Sequence, residues 1–152
     1  MDRIDIAIVR ALQADGRLTN QDLADKVGLS PSPCLRRVRN LEAAGVIRGY
    51  TAVVDARRYG LPVTAFMRIR LDRHARAAVE EFEAAVQQLD EVMECHLLTG
   101  SADYLLRVIV ADIDDYERFM RQKMHAIPGI ASIDSSFAYS EVKRANQFRS
   151  PL

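Results

Sequence analysis

The stretch from Leu18 to Ile47, LTNQDLADKVGLSPSPCLRRVRNLEAAGVI, constrains the fold most, because it leaves almost no chain between two helical patterns. Thr19 can cap the first helix, with Asp22 as its capping-box partner, and Leu23, Ala24 and Val27 form an apolar stripe. Gly28 suits the left-handed residue of a sharp helix exit. Ser30 or Ser32, followed by Pro31 or Pro33, supplies the cap and first turn of the next helix. Only Gly28, Leu29 and Ser30 remain for the turn. A connection this short predicts a steep interhelical angle, the geometry that lets a second helix enter a major groove while the first crosses the backbone.

On that second helix Leu35, Val38 and Leu41 recur every three residues and are expected inward, with Ser32, Arg36, Arg39 and Asn40 on one outward stripe. Arginine can fork onto guanine O6 and N7, or onto phosphate, with two parallel hydrogen bonds. Ser32, Pro33 and Arg36 are therefore placed near base edges, Arg37 and Arg39 nearer phosphate, and Ser30 and Asn40 beside them. Arg48 either touches phosphate or is a solvated turn residue. A run of arginines alone would be read as a solvated face. Its coincidence with the tight turn points instead to double-stranded DNA.

The formal net charge of zero argues at first against nucleic acid. Residues 1–60, however, hold 10 Lys+Arg against 7 Asp+Glu, and residues 61–152 hold 11 against 14, so a mildly basic head precedes an acidic body. With 152 residues and 49% hydrophobic composition the chain can bury one core or two small ones. Cys34 and Cys95 lack metal-ligand or redox spacing and fit a reducing cytosol. There is no apolar run long enough to span a membrane and no signal-peptide layout, so a cytoplasmic protein with no membrane partner is expected.

In chain order, residues 2–14 read as a first helix capped by Asp2, with Asp5 three positions on. After Val46, Tyr50, Ala52 and Val54 alternate with polar or opposite-facing neighbours, as a wing or linking strand would. The expected domains are a winged helix-turn-helix over 1–55, a linker over 56–62 interrupted by Gly60 and Pro62, and a second domain over 63–152. That domain alternates a strand (Val63, Ala65, Met67, Ile69, Leu71 on one face), a helix (Val79, Phe82, Val86, Leu89), strands over 92–99 and 104–111, a helix capped by Asp112 with Ile113, Tyr116, Met120 and Met124 inward, and a strand over 130–140. The order β-α-β-β-α-β gives an α+β chain with both helices on one face of an antiparallel sheet. Leu105 and Ile109, as well as Leu106 and Val108, are apolar, so neither sheet face looks ready for water. A second copy most economically covers the free face, and a two-fold dimer would present two heads to a pseudo-palindromic site.

No catalytic or metal constellation is visible, and no cofactor is implied. Cys95 and His96 are adjacent on a strand and so point to opposite faces. His74 and His125 have no ligand-spaced partner, and Glu80, Glu81 and Glu83 read as a solvated helix face. The segment Thr99-Gly100-Ser101-Ala102-Asp103-Tyr104 can be a plain hairpin turn in which Asp103 bonds its own backbone. It can instead hold a free amino acid, with N–H groups of Gly100 and Ser101 on the carboxylate and Asp103 on the ammonium.

The whole chain resembles the Lrp/AsnC family of leucine-responsive, or feast/famine, transcription regulators. The matching residues are Asp2, Asp5 and Ile8; Gly16 and Arg17; Leu23, Ala24, Gly28, Leu29 and Ser30; Arg37, Val38, Leu41, Gly45, Ile47 and Tyr50; then Gly100, Asp103, Tyr104, Pro128 and Gly129. The resemblance implies a winged helix-turn-helix followed by a ferredoxin-like (ACT-like, RAM) domain. It also implies sheet-to-sheet dimers that assemble into tetramers or octamers, and an amino-acid effector bound between dimers near the strand-to-strand loop. Ile133, Asp134 and Ser135 stand where the family has a threonine-rich end to the last strand, and Ser135 joins Thr99, Gly100, Ser101, Asp103 and Tyr104 as an effector-site candidate. Two other readings are an effector-independent architectural DNA-binding regulator and a small-molecule-sensing subunit acting on a protein partner; salt-dependent operator binding separates the last from the others.

Overall fold

Side chains that accept backbone N–H groups set where most helices begin. The computed structural model describes residues 1–149. In its first unit, α1 spans Arg3–Ala14, and its capping box is complete: Asp2 accepts from the Asp5 N–H at 2.9 Å and Asp5 accepts from the Asp2 N–H at 3.0 Å. Helix α2, Asn20–Val27, is capped by Thr19. Here half of the expected box forms, since the Asp22 carboxylate takes the Thr19 hydroxyl at 2.6 Å. Gly28 adopts φ +70°, a left-handed conformation costly for any residue with a Cβ. Helix α3, Pro31–Ala43, follows after Ser30, whose side chain makes no cap bond; Pro31 in the first turn has no N–H to satisfy.

The three helices close around Ile8, Leu23, Ala24, Cys34 and Leu41, with Val38 and Ile47 packed against them. The inward stripe of α3 is therefore Cys34, Val38 and Leu41. Leu35, expected inward, is exposed. Steps of four and three keep one face, whereas repeated steps of three drift around the helix. The expected wing or linking strand does not form as a strand: the chain from Ile47 to Asp55 has no strand, and Val53 and Val54 are exposed. Alternation favours a strand only when another strand is there to pair with. Tyr50 is nevertheless anchored, its hydroxyl donating to Glu42 at 3.1 Å.

The second compact unit covers Val54–Glu141, and residues 142–149 group with the first. The expected linker contains a helical turn, α4, Ala56–Tyr59, capped by Asp55 and closed by Gly60. Then come β1 Val63–Leu71, α5 Arg76–Val86, β2 Val92–Leu97, β3 Tyr104–Val110, α6 Ile113–Gln122, a 3-10 turn Met124–Ala126 and β4 Ile130–Phe137. The sheet is antiparallel in the order β2-β3-β1-β4, the expected β-α-β-β-α-β arrangement.

Period-two alternation decides which side chains meet the helices. Ala65, Met67, Ile69 and Leu71 of β1 pack with Leu106, Val108 and Val110 of β3 against Phe82, Val86, Phe119 and Met124. Leu106 and Val108 are thus under the helices, and Leu105 and Ile109 face the other way with Phe66. That second face is less apolar than expected: Arg107 pairs with Glu94 at 2.7 Å and Arg68 with Asp134 at 3.5 Å beside the apolar residues. On α6 the inward residue is Phe119, in phase with Tyr116 and Met120, while Ile113, expected inward, is 58% exposed in the first turn. No helix among the described residues is long and apolar enough to cross a membrane.

The reassigned face of α6 is directly testable. Phe119→Ala should destabilise the fold by about 3 to 5 kcal/mol, whereas Ile113→Ala should stay within about 0.5 kcal/mol of wild type. Urea denaturation followed by circular dichroism gives both values, and equal losses would reverse the assignment.

Candidate functional site

Arg36 and Arg37 are adjacent on α3 and have opposite fates. The Arg37 Nη1 donates to Asp2 Oδ2 at 2.8 Å and to Asp5 Oδ1 at 2.7 Å. The hydrogen bonds it donates to Asp5 and then Asp2 raise the guanidinium pKa further above its ordinary value. The Asp2 carboxyl is held below its ordinary value, first by the Asp5 N–H and also by Arg37. Arg37, expected at phosphate, uses its Nη1 to fasten α3 onto the start of α1. A second tie was not foreseen: the Asn20 side chain donates to the Pro31 carbonyl at 2.9 Å, joining the starts of α2 and α3.

The outer face of α3 carries Ser32, Arg36, Arg39 and Asn40, all exposed, with Pro33 half-buried at its edge and Ser30 exposed in the turn. Arg36 and Arg39 make no ion pair among the described residues. Arg48 is exposed after α3 and is likewise unpaired among them. Such cations keep their donors available for a phosphate or a base edge.

The β2–β3 connection places Thr99, Gly100 and Ser101 in solvent. Gly100 has φ +120°, and a Cβ there would meet nothing within 4 Å, so glycine is required by backbone conformation and not by crowding. Asp103 does not bond its own backbone. Its Oδ2 accepts the Leu71 N–H at 2.8 Å and its Oδ1 lies 2.9 Å from His74 Nε2, closing the end of β1. The Leu71 N–H, then His74, hold its carboxyl below the usual range, and nearby Arg70 adds to this. His74, which has no ligand-spaced partner in the sequence, is thus part of this corner. Its partner lies 29 residues away, a pairing no local pattern encodes.

Two expected effector residues are not brought into the loop. Tyr104 is buried against Phe82 with ring centroids 4.6 Å apart, and its hydroxyl donates to Glu83 Oε1 at 2.8 Å. Burial, and then Glu83, push that phenol's pKa up. Glu83 is accordingly not merely a solvated helix residue. Ser135 pairs with Met67 on β1, which separates it from β3, and its hydroxyl is engaged by the Tyr116 hydroxyl at 2.6 Å. Cys95 pairs with the inward Leu106 and its thiol pKa is raised by burial and by Glu83, while His96 lies near Glu94 at 3.3 Å. No group of three His, Cys, Asp or Glu among the described residues could hold a metal.

Comparison with known proteins places both regions. A family model described as a winged helix-turn-helix DNA-binding domain matches residues 1–48, and one described as the Lrp/AsnC ligand binding domain matches residues 64–148. Leucine-responsive regulatory proteins of Salmonella typhimurium and Escherichia coli K12 are each 42% identical over 147 residues, covering 97% of this chain and 90% of theirs. A transcriptional regulator from Neisseria meningitidis, solved as a complex with L-Met, has a TM-score of 0.92 at 39% identity, covering 98% of this chain and 96% of that one. An AsnC family regulator from Agrobacterium tumefaciens gives the same TM-score and identity over 98% and 97%.

The altered place of Arg37 has a measurable consequence. Arg37→Ala should lower the thermal midpoint of the head while leaving the salt dependence of DNA binding unchanged, because no phosphate contact is removed. Asp2 titrates below its ordinary 3.8 when folded, so its contribution is present above that pH and is lost as pH falls through the lower folded value. Acid unfolding should therefore steepen less in Arg37→Ala than in wild type. A salt slope reduced by about one would return Arg37 to the DNA.

Proposed function

The chain belongs to the Lrp/AsnC family of transcriptional regulators, and on that premise we propose that it reads duplex DNA with the outer face of α3 and answers to a free amino acid at the β2–β3 loop. The observation that carries the first half is the pair Arg36 and Arg39, exposed beside Ser32 and without acidic partners among the described residues, on a helix fixed from its other side. Ser32, Pro33 and Arg36 meet base edges, and Ser30, Arg39, Asn40 and Arg48 lie nearer the backbone. Arg36→Ala should cost about 1 to 3 kcal/mol on the best-bound duplex and relax base preference at one position. Binding to randomised duplexes at several salt concentrations measures both, and an unchanged preference would remove Arg36 from the groove.

The L-Met complex of the Neisseria meningitidis regulator supports the ligand class for this chain. An amino acid brings a carboxylate and an ammonium on one carbon, so its site needs N–H donors beside a carboxylate. Gly100 and Ser101 supply the donors. Asp103 supplies the carboxylate, each of its oxygens keeping a second lone pair beyond those used by Leu71 and His74. Thr99 completes the set, and Tyr104 contributes only its support of the strand. Asp103→Asn keeps an acceptor for the Leu71 N–H but drops the charge, and should weaken the best amino acid by about 1.5 to 3 kcal/mol. Calorimetry against a panel of amino acids checks this. If none binds at millimolar concentration, the effector-independent architectural reading takes its place.

Assembly follows from the free sheet face, where Phe66, Leu105 and Ile109 are apolar around the Arg107–Glu94 ion pair, with Arg68–Asp134 beside them. A second copy of the chain covers it in a two-fold dimer, and pairs of dimers build the larger assembly in which the effector acts, with a coupling of about 1 to 3 kcal/mol. Ile109→Asp should split that dimer and abolish specific binding, since one head makes half the contacts. Light scattering decides it: a wild-type protein that is monomeric at micromolar concentration would defeat the arrangement.

A further inference from the structure

With Cys34 taking the inward direction on α3, Leu35 is left 38% exposed. It follows Ser32 by three residues and precedes Arg39 by four, so the three side chains are surface neighbours. Single exposed leucines are common and by themselves mean nothing. This one stands in the N-terminal half of α3, the half of a recognition helix that meets base edges, and it borders a face otherwise made of Ser32, Arg36, Arg39 and Asn40. Against a base edge that carries only donors and acceptors, a leucine would strip water and replace no hydrogen bond. One base presents an apolar group in the major groove, the 5-methyl of thymine, and against that group the same leucine removes two apolar surfaces from water.

We propose that Leu35 is a specificity-determining residue of the DNA interface that takes the 5-methyl group of a thymine in the binding site. The inference rests on the reading of the outer face of α3 as the DNA surface. It adds a preference that Arg36 and Arg39 cannot supply, since both end in hydrogen-bond donors.

The test uses the full chain and the duplex it enriches from a randomised pool. Each thymine is replaced singly by deoxyuridine, which lacks the methyl group and keeps every hydrogen-bonding atom. Wild type should lose about fourfold in affinity at the contacted thymine, the effect expected of burying one methyl-sized group. Leu35→Ala and Leu35→Gln should each bind the thymine and deoxyuridine duplexes equally. Placing cytosine at that position should weaken wild type, and 5-methylcytosine should recover part of the loss. Should either variant lose its fold, the wild-type replacement series and the other variant decide. Wild type indifferent to every replacement, or a folded variant that keeps the full penalty at the same thymine, overturns the role of Leu35. A pool with no enriched sequence overturns instead the reading of α3 as the DNA surface, and this proposal with it.

Discussion

The three residues between α2 and α3 are the constraint on which the head depends. Gly28, Leu29 and Ser30 turn the chain through a left-handed glycine, and a connection so short leaves the two helices little freedom in their relative angle. What freedom remains is removed by two polar ties that a small core needs: Asn20 to the Pro31 carbonyl and Arg37 to Asp2 and Asp5. Cys34, Val38 and Leu41 then commit one side of α3 to the interior. The remaining side, with Ser32, Arg36 and Arg39, is held rigidly without any of its own donors being used for the purpose. A DNA-reading surface gains from that division, because side chains positioned by other groups arrive at the groove already ordered.

The second unit solves a comparable problem at a strand end. Asp103 joins three pieces of chain: its backbone N–H donates to Ile69, its carboxylate takes the Leu71 N–H, and its second oxygen meets His74 in the loop after β1. A ligand ammonium arriving at this carboxylate would alter the balance of contacts at the end of β1 and in the following loop together. The loop residues Gly100 and Ser101 are exposed. Tyr104 anchors the start of β3 from beneath through Phe82 and Glu83.

Much of this was legible in the sequence because it is periodic or local. The caps at Asp2, Thr19 and Asp112, the glycine exit at Gly28 and the alternation of β1 and β3 are each set by residues within a few positions of one another. Where partners are distant, the pattern was silent. Arg36 and Arg37 look alike until Asp2 and Asp5 fold back onto one of them. Cys34 and Leu35 are both apolar, and only the crossing of three helices decides which is interior. His74 finds Asp103 across a strand pair, and Ser135 is separated from the loop by β1, a fact that follows from strand order and not from spacing. The linking strand expected after Val46 belongs with these, since alternation becomes a strand only with a partner, and among the described residues no strand pairs with Ile47 to Asp55.

The distribution of charge limits how such a protein can hold DNA. Residues 1–60 carry an excess of only three positive charges, and one arginine among them, Arg37, is ion-paired with Asp2 and Asp5. If Arg39 and Arg48 each met one phosphate, a single head would release few counterions and its affinity would change with salt by a slope of only about −2. Non-specific attraction of that size is weak, and the acidic body opposes it. Tight binding then has to come from base contacts and from linking two heads, whose effective concentration for the second half-site multiplies the first. Under the proposed dimer, anything that changes the spacing of the heads changes affinity without touching α3. On that proposal control of DNA binding lies in the sheet domain, where an amino acid at the Gly100–Asp103 loop would act on assembly while the recognition helix stays as its short turn and its arginine clamp have set it.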